Sequence, residues 1–303
     1  MIFNLTTEIK FSNYYKKFNL LSLVLVIFSL IGIIFQGLNL GIDFKGGTLI
    51  ELRTENSQIN ISEIRQSFLK MNLGDISVQK FGGENDYLVK IEQTNDRDNS
   101  FINDIKNQLS KDVGSNIKFR RVENVGPKVS NELIKTALIA IVLSMVAMLF
   151  YIWIRFEWQF SLGAILALFH DVIITLGVFS LFNLEINLSI VAAVLTIVGY
   201  SMNDTVVIFD RVRENLRKFS DIKIFELTNI SINETLSRTI ITSVTTLLAL
   251  LSIYFFGGEI LKGFSLAMIL GVIFGTYSSI FIANPVLVFL RISQKTILKE
   301  DKN

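Results

Sequence analysis

The chain has 303 residues, half of them hydrophobic, with a mean hydropathy of +0.49 and only 18% charged side chains. Soluble domains carry about 25% charged residues, so this composition excludes an ordinary soluble protein and points to the membrane. A net charge of +2 gives no sign of a nucleic-acid partner, and none is expected; the absence of cysteine excludes disulfides, thiolate catalysis and thiolate metal sites.

A helix needs about 20 mostly apolar residues to cross the hydrocarbon core. Six stretches qualify, over about 18–38, 133–154, 160–182, 188–209, 239–256 and 264–290. The first is too long for a signal-peptide core and no small-residue cleavage site follows it, so it is expected to remain as a span. The sixth is longer than a minimal span and is expected to tilt or kink. Pro127 and Pro285 are the only prolines, so most spans can run as unbroken helices.

Lys and Arg in the short loops set the orientation. One side carries Lys10, Lys16, Lys17, Arg155, Arg211, Arg213, Arg217, Lys218, Lys223 and Arg238, and the tail adds Arg291, Lys295, Lys299 and Lys302. The short loops of the other side offer only Lys262. Six spans then place both termini in the cytoplasm and the segment 39–130 outside.

That outer segment alternates in type. Strand patterns lie at 48–53, 76–81, 87–91 and 117–122, and Gly82-Gly83 marks a turn. Helical spacing is seen in Ile61, Ile64, Phe68 and Leu69, and in Phe101, Ile102, Ile105 and Leu109. The order β-α-β-β-α-β is the ferredoxin-like one. The fold class expected is thus an α-helical membrane protein, a six-helix transmembrane bundle with a small α+β periplasmic domain. Its parts are a cytoplasmic N-terminus (1–17), the first span (18–38), the periplasmic domain (39–130), spans two to six (131–290) and a cytoplasmic tail (291–303). Within the spans, 210–237 reads as a cytoplasmic amphipathic loop lying along the membrane surface.

Asp204 is the sharpest chemical signal. An ionisable residue within the bilayer is costly and marks a functional site by default. Asp204 stands seven residues before Arg211, which puts it about 10 Å below the interface. Arg238 opens the fifth span at a compatible depth, and its long side chain can reach inward. Proton uptake by the carboxyl would cancel such a pair and free the arginine; a static salt bridge that fixes helix packing is the competing reading. Asp171 also lies near mid-span and needs bonding partners. Its neighbour His170 is the only histidine; it is either a proton relay or a hydrogen-bonded packing residue. No metal site is expected, since no His/Glu spacing resembles one.

Other features read as architecture. Gly271 and Gly275 have the GxxxG spacing of packed membrane helices. Pro285 is expected to kink the last span, with Asn284 available for a freed backbone group. Thr239, Thr242, Ser243, Thr245 and Thr246 serve packing or line a wet path. Asp43, Phe44, Gly46 and Gly47 follow the first span and read as a tight connection between membrane and domain.

The motifs Leu40-Gly41-Ile42-Asp43-Phe44-Lys45-Gly46-Gly47-Thr48, Val125-Gly126-Pro127-Lys128-Val129-Ser130, His170-Asp171, Gly199-Tyr200-Ser201-Met202-Asn203-Asp204 through Asn215, Leu236-Ser237-Arg238-Thr239 and Gly275-Thr276-Tyr277-Ser278-Ser279 occur in one order. Together they resemble the SecF subunits of bacterial SecD–SecF protein-export complexes, within the RND superfamily, over almost the whole chain. The outer insertion of roughly 90 residues is of small-domain size and fits SecF rather than the larger SecD. The resemblance implies a non-enzymatic translocase subunit of the bacterial inner membrane, without an ATPase of its own. With SecD it would use the proton motive force in late steps of export, acting on unfolded polypeptide at the SecYEG channel. YajC and YidC are further implied partners. The coupling ion would be the proton, with Na⁺ the alternative, and no other cofactor. Asp204 and Arg238 match the family's charged pair, so the proton-pathway set is Asp204, Arg238, Asn203, Asp171 and His170. Asp43, Phe44, Gly46 and Gly47 match its membrane-proximal signature; position 45 is Lys where some relatives have a small polar residue. The other readings are half of an RND-type small-molecule or lipid exporter, and a non-transporting assembly scaffold.

Overall fold

The structure is a computed structural model that describes residues 9–54, 59–83, 85–92, 100–113, 117–219 and 222–294. The start of the expected N-terminal segment and the tail residues Lys295, Lys299 and Lys302 lie outside the described residues. In chain order, a 3₁₀ turn at Phe11–Tyr14 leads into helix α1 (Tyr15–Gln36). Then come β1 (Asn39–Leu40), the one-turn α2 (Ile42–Lys45), β2 (Gly47–Thr54), α3 (Ile61–Lys70), β3 (Ile76–Lys80), β4 (Asp86–Ile91), α4 (Ser100–Val113) and β5 (Ile117–Val125). The remainder is helical: α5 (Pro127–Arg155), α6 (Trp158–Leu181), α7 (Leu188–Lys218), α8 (Ile224–Phe256), α9 (Glu259–Ser278) and α10 (Asn284–Phe289). The two-residue β6 (Glu185–Ile186) precedes α7, and a π turn at Ser279–Ala283 joins α9 to α10.

Contacts divide the chain into two units. One comprises Leu40–Leu138 with Glu185–Leu188. Its sheet runs β3-β4-β2-β5 with every pairing antiparallel, which is the ferredoxin-like order anticipated from the alternation of patterns. Strand periodicity sends Ile50, Leu52, Val89 and Ile91 to the core, where Ile64 and Phe68 of α3 and Ile105 and Leu109 of α4 cover them. The opposite face carries charge: Arg53, Asp86, Glu51 and Arg120. This unit includes the first residues of α5, which Pro127 opens. Proline suits a first helical position, where its missing N–H has no intrahelical partner.

The other unit comprises Met1–Asn39, Ile139–Leu184 and Ser189–Asn303. Among the described residues, six helical segments are long and apolar enough to span a membrane. Half or more of the residues in the apolar windows of α6, α7 and the α9–α10 segment are buried, whereas α1, α5 and α8 are mostly exposed. Lipid is as apolar as leucine, so exposed apolar surface costs nothing there. Phe160 and Phe209 pack edge to face at 5.0 Å in the core.

The stretch 210–237, expected as a surface loop, is corrected here. α7 runs on to Lys218 and α8 begins at Ile224. The helices persist because their buried stripes persist. Val212 and Leu216 continue the face of Ile208 and Phe209, and Leu227, Ile232 and Leu236 face the same core. Salt bridges from Glu214 to Arg211 and Lys218 at helical spacing support the last turns of α7.

Candidate functional site

Asp171 and Asp204 occupy the interior of the helical bundle. Asp171 on α6 is fully buried. His170 Nδ1 lies 2.9 Å from its Oδ1, and Oδ2 accepts bonds from Ser201 Oγ of α7 (2.6 Å) and Ser278 Oγ of α9 (2.8 Å). The carboxyl is therefore held by three helices. The His170 ring stacks on Tyr277, while its Nε2 is buried and unbonded. Tyr277 in turn donates to Phe18 O and shares a bond with Ser22 on α1.

Asp204 on α7 is 4% exposed. Its Oδ2 accepts from Thr276 Oγ1 of α9 at 3.4 Å, and Thr276 shares a 2.7 Å bond with Ser243 of α8. One turn separates Ser201 from Asp204 on α7, and Thr276 and Ser278 are near neighbours on α9. The two carboxyl clusters are thus carried by the same pair of helices. Thr205 Oγ1 of α7 and Ser279 Oγ of the π turn that follows α9 lie 2.8 Å apart.

The pairing expected between Asp204 and Arg238 is not formed in this state. Arg238 is exposed and acts on Asp204 only through space; among the described residues no ion pair joins them. Matching depth along two helices does not bring two side chains onto facing sides. Asn203 is likewise exposed on the bundle surface. The residues that do bond the carboxyls are Ser201, Thr276 and Ser278, with Ser243 bonded in turn to Thr276. Their only signal in the sequence was a run of hydroxyls in apolar helices. Ser243 bonds across helices, whereas Thr242 and Thr245 bond back to their own helix.

Close packing puts these groups within reach. A Cβ on Gly275 would stand 3.0 Å from Ser201 Cβ, and one on Gly271 would strike Ile197. The GxxxG spacing is therefore the contact between α9 and α7. Asn284 Nδ2 donates to Ser279 O at 2.7 Å, so the asparagine next to Pro285 satisfies a carbonyl that the π turn exposes.

The signature after α1 forms a second constellation. Gly46 (φ +79°) and Gly47 (φ +139°) adopt backbone angles that favour glycine, and they turn the chain from α2 into β2. Phe44 is buried. Asp43 Oδ2 accepts from the Leu188 N–H, the first of α7, at 2.9 Å. Gly41 N–H donates to Ile186 O at 2.9 Å, and a Cβ on Gly41 would meet the Glu185 carboxylate at 2.6 Å. Glu185 pairs with Lys90 of β4, whose ammonium burial pushes below its ordinary value.

Two family models match the chain: the C-terminal region of the SecD/SecF protein export membrane proteins over residues 105–293, and the SecD/SecF GG motif over residues 31–58. The chain is 45% identical to a protein translocase subunit SecF of Rickettsia bellii, covering 92% of each protein. It is 43% identical to the SecF of Cereibacter sphaeroides, covering 93% of this chain and 89% of that one. Among solved structures, SecDF of Thermus thermophilus, a translocon-associated membrane protein, superimposes with a TM-score of 0.85 at 32% identity. That match covers 96% of this chain and 40% of the longer SecDF chain. A multi-pass membrane chain with this domain order, these motifs and these relatives belongs to the SecF family of protein translocase subunits.

Proposed function

We propose that this chain works with a SecD partner to draw exported, unfolded polypeptide outward from a SecYEG channel in late steps of export, driven by the proton motive force. YajC and YidC are candidate further partners. The seat is the bacterial inner membrane, with both termini cytoplasmic and the α+β domain periplasmic. No ATPase activity of its own is needed: one charge crossing 100 mV is worth about 2.3 kcal/mol, so a few ions can drive a modest conformational change.

The observation that carries this reading is the company Asp204 keeps. Its bonded partner is the hydroxyl of Thr276, which Ser243 bonds in turn, and not a cation. A hydroxyl donates to a carboxylate and accepts from a carboxylic acid, so the site serves both protonation states. Arg238 stands outside this cluster and is free to approach when the carboxyl is charged. Asp171, held by Ser201 and Ser278, has the same two-way partners and extends the path with His170. The proton is the coupling ion in this reading, and Na⁺ is its competitor at the same oxygens.

Asp204→Asn and Arg238→Met test it. Both variants should insert and co-purify with SecD, yet lose gradient-stimulated export in membrane vesicles. Full export by both would leave a structural scaffold as the better description. Replacing the proton gradient with a sodium gradient in the same vesicles identifies the ion.

A further inference from the structure

We propose that Asp43 of the glycine-rich signature is a positioning residue that fixes the first turn of α7, the helix that carries Asp204. This rests on the reading of Asp204 as the proton-responsive group. The first N–H groups of any helix lack partners within it, and a carboxylate there supplies both a hydrogen bond and a charge favourable to the helix dipole. The first turn of α7 contains no acidic residue of its own. The carboxylate comes instead from 145 residues earlier in the chain, where Asp43 Oδ2 accepts from Leu188 N at 2.9 Å.

Asp43 is well placed to hold a position. It lies in the one-turn α2, closed by the Gly46 N–H bond to Ile42 O at 2.8 Å and anchored by the buried Phe44. Two further contacts converge on the same short segment: the Gly41 bond to Ile186 and the Lys90–Glu185 ion pair. A side chain at position 41 would push aside the end of Glu185. The signature thus acts as a clasp, with Gly41 providing room, Asp43 the bond, and Gly46 and Gly47 the turn. From Leu188, α7 continues unbroken through Asp204, about 24 Å along the axis. A rigid helix is the kind of element that carries coupling between sites.

The test uses the full chain with its SecD partner in vesicles, reading hydrogen exchange in the first turn of α7 and gradient-stimulated export. Asp43→Ala should speed exchange about fivefold, the usual effect of losing a cap worth ~1 kcal/mol, and should lose most of the gradient stimulation. Asp43→Asn keeps an acceptor oxygen and should recover most of both. Leu188→Pro removes the donor while suiting a first helical position; it should reproduce the export defect, and adding Asp43→Ala to it should cost little more. Unchanged exchange in Asp43→Ala, or failure of Asp43→Asn to recover either signal, would overturn the clasp. Asp204→Asn is measured alongside. Normal export by that variant sinks the proton reading, while the exchange data still decide the role of Asp43.

Discussion

At the scale of single residues, the chain treats its buried acids in two ways. Asp86, on the sheet, is held by a fork of charge: Arg53 Nε at 2.6 Å and Nη2 at 2.7 Å, with Arg120 at 3.4 Å. The Arg53 bonds, over the opposing effect of burial, hold the Asp86 carboxyl below its ordinary value. A depressed folded value gives stability that is present above the unfolded value of about 3.9 and is lost as pH falls through the folded value. Acidification below pH ~4 should therefore accelerate hydrogen exchange in β2 and β4, after correction for intrinsic rates. Asp86→Asn should flatten that dependence, and an unaltered profile would remove the linkage. Arg53→Met should likewise speed hydrogen exchange in β2 and β4 at neutral pH, since it removes the fork that holds Asp86. Asp171 and Asp204 have hydroxyl partners, or a histidine, instead of this fixed cationic fork. The acids themselves were legible in the sequence, since charge inside an apolar run stands out. Their partners were not, because each comes from another helix and depends on the rotational phase between helices. Depth, which suggested Arg238, fixes one coordinate and leaves that phase open.

At the scale of elements, α9 organises the bundle interior. Its glycines let α7 approach, and its hydroxyls reach both carboxyls. Gly271→Ala should cost about 1–3 kcal/mol by overpacking against Ile197, measured as a lowered Tm in detergent. Ile197→Ala in the same chain should restore part of that loss, because the two sites are in contact; strict additivity would show that α9 and α7 do not meet there. The strands and the two outer helices were legible because periods of two and of 3.6 differ plainly. The extents of α7 and α8 were not, because an apolar run reports the hydrocarbon core rather than the end of the helix. Beyond Phe209 only alternate faces stay apolar, and the buried stripe of Val212 and Leu216 keeps the helix going. Pro285 and Asn284 pointed to an irregularity, but its form as a π turn depends on backbone bonding that composition does not encode.

At the scale of the whole molecule, six spans and an inserted ferredoxin-like domain could be read in advance, because span length and element order are one-dimensional properties. The chain contains no cysteine, so single cysteines report topology without background. Gln79→Cys, on β3, should react with a membrane-impermeant maleimide in intact cells, whereas Lys218→Cys, at the end of α7, should react only after permeabilisation. The reverse pattern would invert the orientation set by the basic loops. The ends of α7 have a mechanical consequence. At Leu188 the helix is tied to Asp43. At its far end Arg213 stands 3.3 Å from the buried Glu157, and Arg211 bonds Glu234 at 3.1 Å. Sliding along the helix axis would break the ties at both ends together. Rotation about that axis would break the Ser201–Asp171 and Thr205–Ser279 bonds.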